Sequence, residues 1–475
     1  MKASRLFLVL SLLVVVIISA ISGTGCANII PPSGGPKDSL PPVLVKVSPP
    51  DSTRNFNEKR ISFTFDEFVE IQNAQQEVLI SPLPKQIPAV EYKLNTVTVR
   101  LKDTLEENTT YTIDFGNAIK DINEGNFLKN FTYTFSTGQY IDSLEFRGNV
   151  KLAETGQVDT TLIVMLHSSG DDSAVVKDKP RYITRLDSKG NFHFTKLPPR
   201  TYYVYALKDE GGSRRYMNDR QLFAFADAPV TISDSTRLLT LYAYSVPEAA
   251  KAAAVAPDAP SRGNRTNNAA ADRRLRFSSN LAGDQQDLLS SFVMTFEQPL
   301  KAFDSTKIGF FSDSTYQPVT GHQFIKDSSN RSFTLRHNWK ENTTYHLILD
   351  KDFAEDSSGR KLLKTDTLHF KTKKLSEYGE MKIKFKNLDL SKNPVVLFIL
   401  NGNVTQSFPM TMAEISRPIF LPGEYELRIL FDNNKNGKWD PGEFYGKHLQ
   451  PELVMPVERK VNIRPNWKNE FEIAL

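Results

Sequence analysis

The sequence is poor in the residues that build disulfide frameworks and thiolate metal centres. Its 475 residues include a single cysteine, which excludes an intramolecular disulfide and any zinc site with several cysteine ligands. The sequence also lacks a large excess of charge of one sign, because it has 59 basic and 55 acidic residues and a formal net charge of +4. We therefore expect no broad basic surface for nucleic acid.

Motifs that carry catalysis are missing as well. The sequence has no G-x-S-x-G, P-loop or G-x-G-x-x-G pattern, and none of its seven histidines has the H-E-x-x-H spacing. His193, His346 and His369 fall on the polar phase of strand-like runs, which predicts solvated strand faces. Asp66 and Glu67 form a carboxylate pair, but their position at a strand end favours a structural turn over a glycosidase pair. The chain is predicted not to be an enzyme.

Long apolar runs are absent except at the N-terminus. Residues 6–21 form an unbroken apolar and small stretch of 16 residues, preceded by the positive side chains of Lys2 and Arg5. A membrane-spanning helix needs about 20 residues. The segment is therefore typical of the apolar core of an export signal.

The residues after this run point to a lipid anchor. Cys26, the only cysteine, follows a small-residue stretch, and this resembles a bacterial lipoprotein signal, although Gly23 stands where that family usually has an aliphatic residue. The resemblance implies a signal peptide over 1–25 and an acylated Cys26 that begins a Pro-rich tether over 26–42. Residues 27–32 lack the acidic cluster that resembles a surface-export tag in Bacteroidota lipoproteins. We therefore expect anchoring to the periplasmic face of the outer membrane through acyl chains.

The rest of the chain has the alternation of β-strands. In one run Ile61, Phe63 and Phe65 alternate with Ser62 and Thr64. Such a run buries one face of a strand and leaves the other in water. Similar runs recur throughout, with Gly, Asn, Asp and Pro between them at roughly the spacing of a β-sandwich. The fold class is predicted to be all-β, with sandwiches in tandem.

Two sequence patterns occur twice. The first is Glu-Asn-Thr-Thr-Tyr at 107–111 and 341–345, each followed by a strand and by an acidic turn with glycine, 121–125 and 355–359. These pieces resemble the bacterial Ig-like domain first described in S-layer proteins, the SbsA type. The resemblance implies a β-sandwich in each copy.

The second pattern is Leu-Pro-Pro-Arg-Thr-Tyr at 197–202, which is matched by Phe-Leu-Pro-Gly-Glu-Tyr at 420–425. A strand follows each copy, and a hairpin turn at 187–192 precedes the first. These features resemble the transthyretin-like, carboxypeptidase-regulatory-like β-sandwich. That family usually has no catalysis of its own.

The two repeated units predict an A–B–A′–B′ order of domains. The predicted segments are a signal peptide (1–25), a lipidated tether (26–42), Ig-like domain A (43–138), transthyretin-like domain B (143–246), an Ala/Pro-rich linker (247–274), Ig-like domain A′ (275–374) and transthyretin-like domain B′ (378–475). The whole arrangement resembles Ig-like lipoproteins of Bacteroidota.

One segment has the spacing of a calcium loop. Residues 432–443 satisfy the pattern D-x-[DN]-x-[DN]-G-x₅-E, which supplies the six to eight oxygens that Ca²⁺ prefers. The predicted ligands are Asp432, Asn434, Asn436, the backbone carbonyl of Lys438, Asp440 and Glu443. Strands flank the loop instead of helices, and the alternative is an exposed Asn/Gly-rich hairpin loop.

Together these features predict a lipid-anchored, non-catalytic scaffold that presents β-sandwiches at the outer membrane to an unidentified envelope protein. The alternative is a carbohydrate-binding lipoprotein of a glycan-uptake system. That alternative depends on the aromatic-dense stretch of Tyr202, Tyr203 and Tyr205, with Tyr182 upstream, forming an exposed platform for sugars. Tyrosine is also simply a good strand former.

Overall fold

The computed structural model describes Leu13, residues 38–247 and residues 274–475. Its contacts divide the chain into two compact units, Met1–Asp142 and Ser143–Leu475. Domain A lies in the first unit, and domains B, A′ and B′ lie in the second. The predicted signal peptide, Cys26 and most of the predicted tether and linker lie outside the described residues. The two described α-helices have only four residues each, Ala74–Glu77 (α1) and Ala174–Lys177 (α2).

Domain A is built from ten short strands. They are β1 (Leu44–Ser48), β2 (Arg60–Phe65), β3 (Val69–Ile71), β4 (Leu79–Ser81), β5 (Ala89–Lys93), β6 (Thr96–Arg100), β7 (Thr110–Asp114), β8 (Ile119–Asp121), β9 (Phe127–Leu128) and β10 (Thr132–Ser136). The strands form three sheets, in the orders β1-β2-β6-β5, β10-β7-β4 and β3-β8-β9.

Domain A′ repeats this arrangement with eleven strands. They are β19 (Phe277–Ser279), β20 (Gln285–Gln286), β21 (Phe292–Phe296), β22 (Leu300–Phe303), β23 (Ile308–Ser312), β24 (Gln317–Pro318), β25 (Gln323–Lys326), β26 (Ser332–Arg336), β27 (Thr344–Leu349), β28 (Ala354–Asp356) and β29 (Asp366–Thr372). Its sheets are β19-β21-β26-β25, β20-β29-β27-β23-β24 and β22-β28. Short 3₁₀ turns occupy Ser305–Lys307 and Leu375–Glu377.

The alternation of apolar and polar residues along the strands determines which side chains form the cores of both Ig-like domains. In β2, Ile61, Phe63 and Phe65 are at most 1% exposed, while the residues between them are half-buried. In β21, Phe292 and Phe296 are buried in the same way. Burial of each such side chain stabilises the fold by about 1.5–3 kcal/mol.

The repeated Glu-Asn-Thr-Thr-Tyr segment has a structural role in both copies. Asn108 and Asn342 take left-handed backbone angles, with φ of 48° and 47°, which Asn tolerates better than most residues. The hydroxyl of Tyr111 accepts a hydrogen bond from the backbone N–H five residues earlier at 2.9 Å, and that of Tyr345 does the same at 3.3 Å. The repeat therefore specifies the turn into β7 and β27.

Domain B has eight strands. They are β11 (Leu144–Leu152), β12 (Leu162–His167), β13 (Tyr182–Arg185), β14 (Asn191–Leu197), β15 (Thr201–Lys208), β16 (Phe223–Phe225), β17 (Val230–Thr231) and β18 (Leu239–Ala243). One sheet has the order β14-β11-β18, in which β11 and β18 are parallel. The other has the order β13-β12-β15-β16, and β17 also pairs with β15.

Domain B′ reproduces this topology strand for strand. Its strands are β30 (Gly379–Lys386), β31 (Pro394–Leu400), β32 (Asn403–Pro409), β33 (Glu414–Phe420), β34 (Gly423–Phe431), β35 (Leu453–Pro456), β36 (Val461–Ile463) and β37 (Lys468–Ala474). The sheet orders are β33-β30-β37, with β30 and β37 parallel, and β32-β31-β34-β35, with β36 pairing β34. A 3₁₀ turn lies at Leu390–Lys392. The predicted duplicated all-β architecture is confirmed.

Candidate metal loop and domain interface

The predicted calcium loop lies between β34 and β35, two neighbouring strands of one B′ sheet. Asp432 directly follows β34 and begins the loop, and it is only 2% exposed. Its Oδ1 accepts the backbone N–H of Asn436 at 3.2 Å, and its Oδ2 accepts that of Gly437 at 2.7 Å. Gly437 has a φ of 76°, a conformation that favours glycine. Asp432 therefore organises the turn as well as being a predicted ligand.

Four of the predicted ligand side chains lie together. The side-chain amides of Asn434 and Asn436 each donate to Asp440 Oδ2, at 2.6 Å in both cases. Their Oδ1 atoms accept backbone N–H groups two residues further on, at 3.0 and 2.7 Å. Hydrogen bonds thus link the side chains at the first, third, fifth and ninth positions of the loop to one another or to its backbone.

The last predicted ligand is directed elsewhere. Glu443 Oε2 lies 2.7 Å from Lys447 Nζ, and the backbone N–H of Glu443 bonds to the carbonyl of Leu449. A different carboxylate, Glu452, closes the loop: it is 5% exposed and accepts the backbone N–H groups of Asn433 at 2.7 Å and Asp440 at 3.2 Å. Burial raises the pKa of Glu452. Sequence reasoning missed this residue because it lies nine positions beyond the end of the calcium pattern.

A separate acidic cluster lies in domain A. Among the described residues, the one group of three or more His, Cys, Asp or Glu side chains with ligand atoms within 4.8 Å of one another is Glu67, Asp121 and Glu124. Asp121 is fully buried and accepts backbone N–H groups from Glu124, Gly125 and Asn126 at 2.6–2.8 Å. Its carboxylate therefore already has the partners that hold the acidic turn together.

The segment after the calcium pattern packs into domain B. Phe444 is 3% exposed, and its ring centroid lies 5.8 Å from that of Tyr205, 5.1 Å from Phe223 and 5.2 Å from Phe225. Tyr205 is on β15, and the two phenylalanines are on β16. A side chain of B′ thus completes an aromatic cluster of B.

Further contacts surround this ring. Tyr445 stacks on Tyr216 of domain B, with ring centroids 5.8 Å apart. Polar contacts also join B to B′: Asp172 Oδ1 with His448 Nε2 at 2.7 Å, Asp227 Oδ1 with Gln450 Nε2 at 2.7 Å, and the Ala153 carbonyl with the Val454 N–H at 2.8 Å. Domains B and B′ are therefore directly joined, although the sequence suggested separate modules.

The aromatic platform that motivated glycan binding is mostly buried. Tyr182, Tyr202 and Tyr205 are 3%, 0% and 5% exposed. Tyr182 and Tyr202 pack edge to face in the core of B, and Tyr205 faces Phe444. Burial raises the pKa of Tyr205 to about 12. The alternative of an exposed sugar-stacking surface at this stretch is therefore not supported. Tyr182 and Tyr202 lie in the core of B itself, and Tyr205, on the outer face of the sheet, is covered by Phe444 of B′.

Of the three histidines predicted to lie on solvated strand faces, two are exposed and one is buried. His193 is exposed and lies 3.1 Å from Glu145, and His369 is exposed. His346, in contrast, is only 7% exposed, so its predicted place on a solvated face is wrong. Cys26, the predicted lipidation site, lies outside the described residues. In the described part of the chain no helix has the length and apolar character needed to cross a membrane.

Comparison with protein families identifies two of the four domains. Residues 38–137 and 271–372 match the model of the bacterial Ig-like domain. Domains A and A′ are therefore bacterial Ig-like domains, as their repeated motifs predicted. No curated protein matches the chain.

Solved structures show only distant similarity. The Bacillus anthracis TIE protein has 11% identity over 94% of this chain and 75% of its own, with a TM-score of 0.17. The S-layer protein rSbsC(31-844) has 11% identity over 92% of this chain and 54% of its own, with a TM-score of 0.16. The major pilin subunit BcpA of Bacillus cereus has 8% identity over 70% and 98%, with a TM-score of 0.15. These scores support no inference about function.

Proposed function

We propose that the protein is a non-catalytic scaffold of the bacterial cell envelope, anchored by acyl chains on Cys26 and presenting its β-sandwiches at the outer membrane, on the periplasmic side. Domains B and B′ act as transthyretin-like structural modules. The observation that supports this best is the direct joining of B and B′ through Phe444, which makes a rigid support out of two sandwiches. Such a support suits the presentation of a binding surface to an envelope protein.

The anchor is tested by lipid labelling. Cells that express the wild type or Cys26→Ser are fed an alkyne fatty acid, and soluble, inner-membrane and outer-membrane fractions are compared. We expect label and outer-membrane location in the wild type and loss of both in Cys26→Ser. A Cys26→Ser, Ser33→Cys double variant is the matched control, since a cysteine seven residues away should not be acylated. Fatty-acid label on either of these two variants contradicts the proposal.

Two further experiments test which side of the outer membrane the protein faces and which envelope protein it binds. Protease added to intact cells should leave the protein whole if it faces the periplasm, and should cleave it only after the outer membrane is permeabilised. Crosslinking in cells followed by mass spectrometry should recover an envelope protein with the wild type and less of it with Cys26→Ser. Cleavage in intact cells would place the protein on the cell surface instead.

We also propose that the B′ loop binds Ca²⁺. The support is the convergence of Asp432, Asn434, Asn436 and Asp440, with the buried Glu452 beside them. Because few carboxylates contribute, the dissociation constant should lie at about 10⁻⁴–10⁻³ M, the range of extracellular modules. The ion would stiffen the loop rather than perform chemistry.

Terbium luminescence tests this site. The indole N–H of Trp439 donates to the Glu452 carbonyl at 2.7 Å, so tryptophan excitation should sensitise a Tb³⁺ ion bound in the loop. Ca²⁺ should compete for the site. Asp432→Asn should weaken binding about tenfold or more, while Asp209→Asn, at the corresponding position of B, should not.

The role of the two glutamates is tested with the same assay. If the buried carboxylate takes part, Glu452→Gln should weaken Tb³⁺ binding more than Glu443→Gln. The reverse order would restore Glu443 as the ligand. Luminescence that is unchanged by Asp432→Asn would refute the calcium proposal.

A further inference from the structure

Two histidines of domain A′ face each other on neighbouring strands. His346 of β27 is in register with His369 of β29. Their Nδ1 atoms are 2.6 Å apart, and their rings meet edge to face with centroids 4.8 Å apart. His346 is nearly buried and His369 is exposed. The calcium loop and the B–B′ interface do not involve this pair.

The surroundings of His346 determine which of its nitrogens has a free lone pair. Its Nε2 lies 2.9 Å from the backbone carbonyl oxygen of Asp313. A carbonyl only accepts hydrogen bonds, so Nε2 carries the hydrogen, and the neutral ring has its lone pair on Nδ1. Tyr316 stacks on the same ring, with centroids 4.4 Å apart and planes 19° from parallel. His346 is thus held in one orientation with the Nδ1 lone pair directed at His369.

This arrangement is typical of a metal-binding histidine. Histidines that ligate a metal usually donate their other N–H to a carbonyl or carboxylate, which sets the tautomer and the ring orientation. A tetrahedral ion with two metal–nitrogen bonds of about 2.05 Å needs nitrogens about 3.3 Å apart. The pair must therefore open by less than 1 Å, and the exposed ring of His369 can make that adjustment.

We propose that His346 and His369 form a surface site for a borderline transition-metal ion, with Zn²⁺ or Cu²⁺ as the expected class and water completing the coordination. Imidazole nitrogens favour such ions over Ca²⁺ and Mg²⁺, which prefer oxygen. The ligands are the two Nδ1 atoms. Lys371, next to His369 on the same face of β29, adds a positive charge that keeps the affinity modest.

Domain A supplies a natural control for this site. The corresponding strands, β7 and β10, pair Thr112 with Thr134 at the same position in the register. The double variant His346→Thr, His369→Thr therefore gives A′ a pair that the same fold already accommodates. If the double variant nevertheless fails to fold, His369→Gln alone changes an exposed residue and removes one ligand.

The experiment uses the full chain without a polyhistidine tag. Cu²⁺ is added at one equivalent and its electron paramagnetic resonance spectrum is recorded, and Zn²⁺ affinity is measured by calorimetry. We expect hyperfine coupling from two imidazole nitrogens and a single Zn²⁺ site. His369→Gln should weaken Zn²⁺ binding about tenfold or more, and the double threonine variant should abolish it, whereas His193→Ala should change nothing.

Two results would overturn the proposal. One is an absence of Cu²⁺ or Zn²⁺ binding by the wild type, which would mean that the two rings only share a proton. The other is binding that persists unchanged in the double threonine variant, which would place the metal elsewhere. Circular dichroism of each variant shows that a lost signal reflects a lost ligand and not an unfolded domain.

Discussion

Truncation of Phe444 should uncouple domain B′ from domain B. The ring belongs to a B′ loop, but three aromatic rings of B surround it, and only 3% of the residue is exposed. Replacing a buried phenylalanine by alanine costs about 3–5 kcal/mol. Three of its ring contacts are with B, whereas those within B′ are with Tyr445 and His448 of its own loop, so most of this cost should fall on the docking of the two domains. At about 1.4 kcal/mol per tenfold, 3 kcal/mol corresponds to a docking equilibrium about 100-fold weaker.

Hydrogen exchange measures this change at a specific amide. The N–H of Val454 on β35 donates across the interface to the carbonyl of Ala153. Its exchange reports undocking, whereas exchange in β30 and β37 reports unfolding of B′ itself. Phe444→Ala should accelerate exchange of the Val454 amide up to about 100-fold and leave the β30 and β37 amides nearly unchanged.

Phe385→Ala is the matched control. Phe385 is 4% exposed and packs within the core of B′. This variant should accelerate exchange throughout B′, including β30 and β37. If Phe444→Ala gives the same pattern as Phe385→Ala, then Phe444 acts as a core residue of its own domain, and our reasoning about docking is refuted.

Two other predictions concern domain B. Burial lowers the pKa of His167 to about 4, below its value of about 6.5 in the unfolded chain. The neutral ring therefore contributes its full share to the free energy of unfolding above about pH 6.5, and this contribution is lost as the pH falls towards 4. Urea unfolding should show a loss of about 2 kcal/mol between pH 7 and pH 5 that is absent in His167→Gln; an equal loss in both contradicts the assignment. Gly148→Ala should lower the free energy of unfolding of B by about 1–3 kcal/mol, because a β-carbon there would overlap the Leu239 carbonyl and the Phe192 ring. Gly211→Ala, where a β-carbon meets nothing within 4 Å, should be nearly neutral, and equal melting temperatures for the two variants would count against the packing argument.

The candidate calcium loop was predictable in part. The spacing of Asp432, Asn434, Asn436 and Asp440 alone indicated that their side chains would converge, because a short loop brings alternate positions to one side. The departure of Glu443 towards Lys447 and the approach of Glu452 were not predictable. They depend on where β35 begins and on how the loop packs.

The His346–His369 pair was likewise predictable only in part. The period-2 pattern correctly placed both residues in strands, but it could not indicate that the two strands are neighbours in register. Nor could it show that Tyr316 covers one ring. Sequence patterns indicate which face of a strand a residue lies on, whereas contact between the two histidines depends on the pairing of strands whose partners are 23 positions apart in the chain.

Local sequence patterns were sufficient to predict the fold class, the duplication and the Ig-like domains. These follow from local alternation, from turn residues such as Asn108 and Asn342, and from motifs that occur twice, all of which act over a few residues. Three features became visible only in the folded chain: B and B′ are joined, Phe444 enters an aromatic cluster of B, and Tyr205 is covered instead of free to stack on a sugar. An apolar side chain must be removed from water, but its sequence position does not say which surface will cover it. That choice depends on the shapes of two folded domains, and these exist only after each domain has formed.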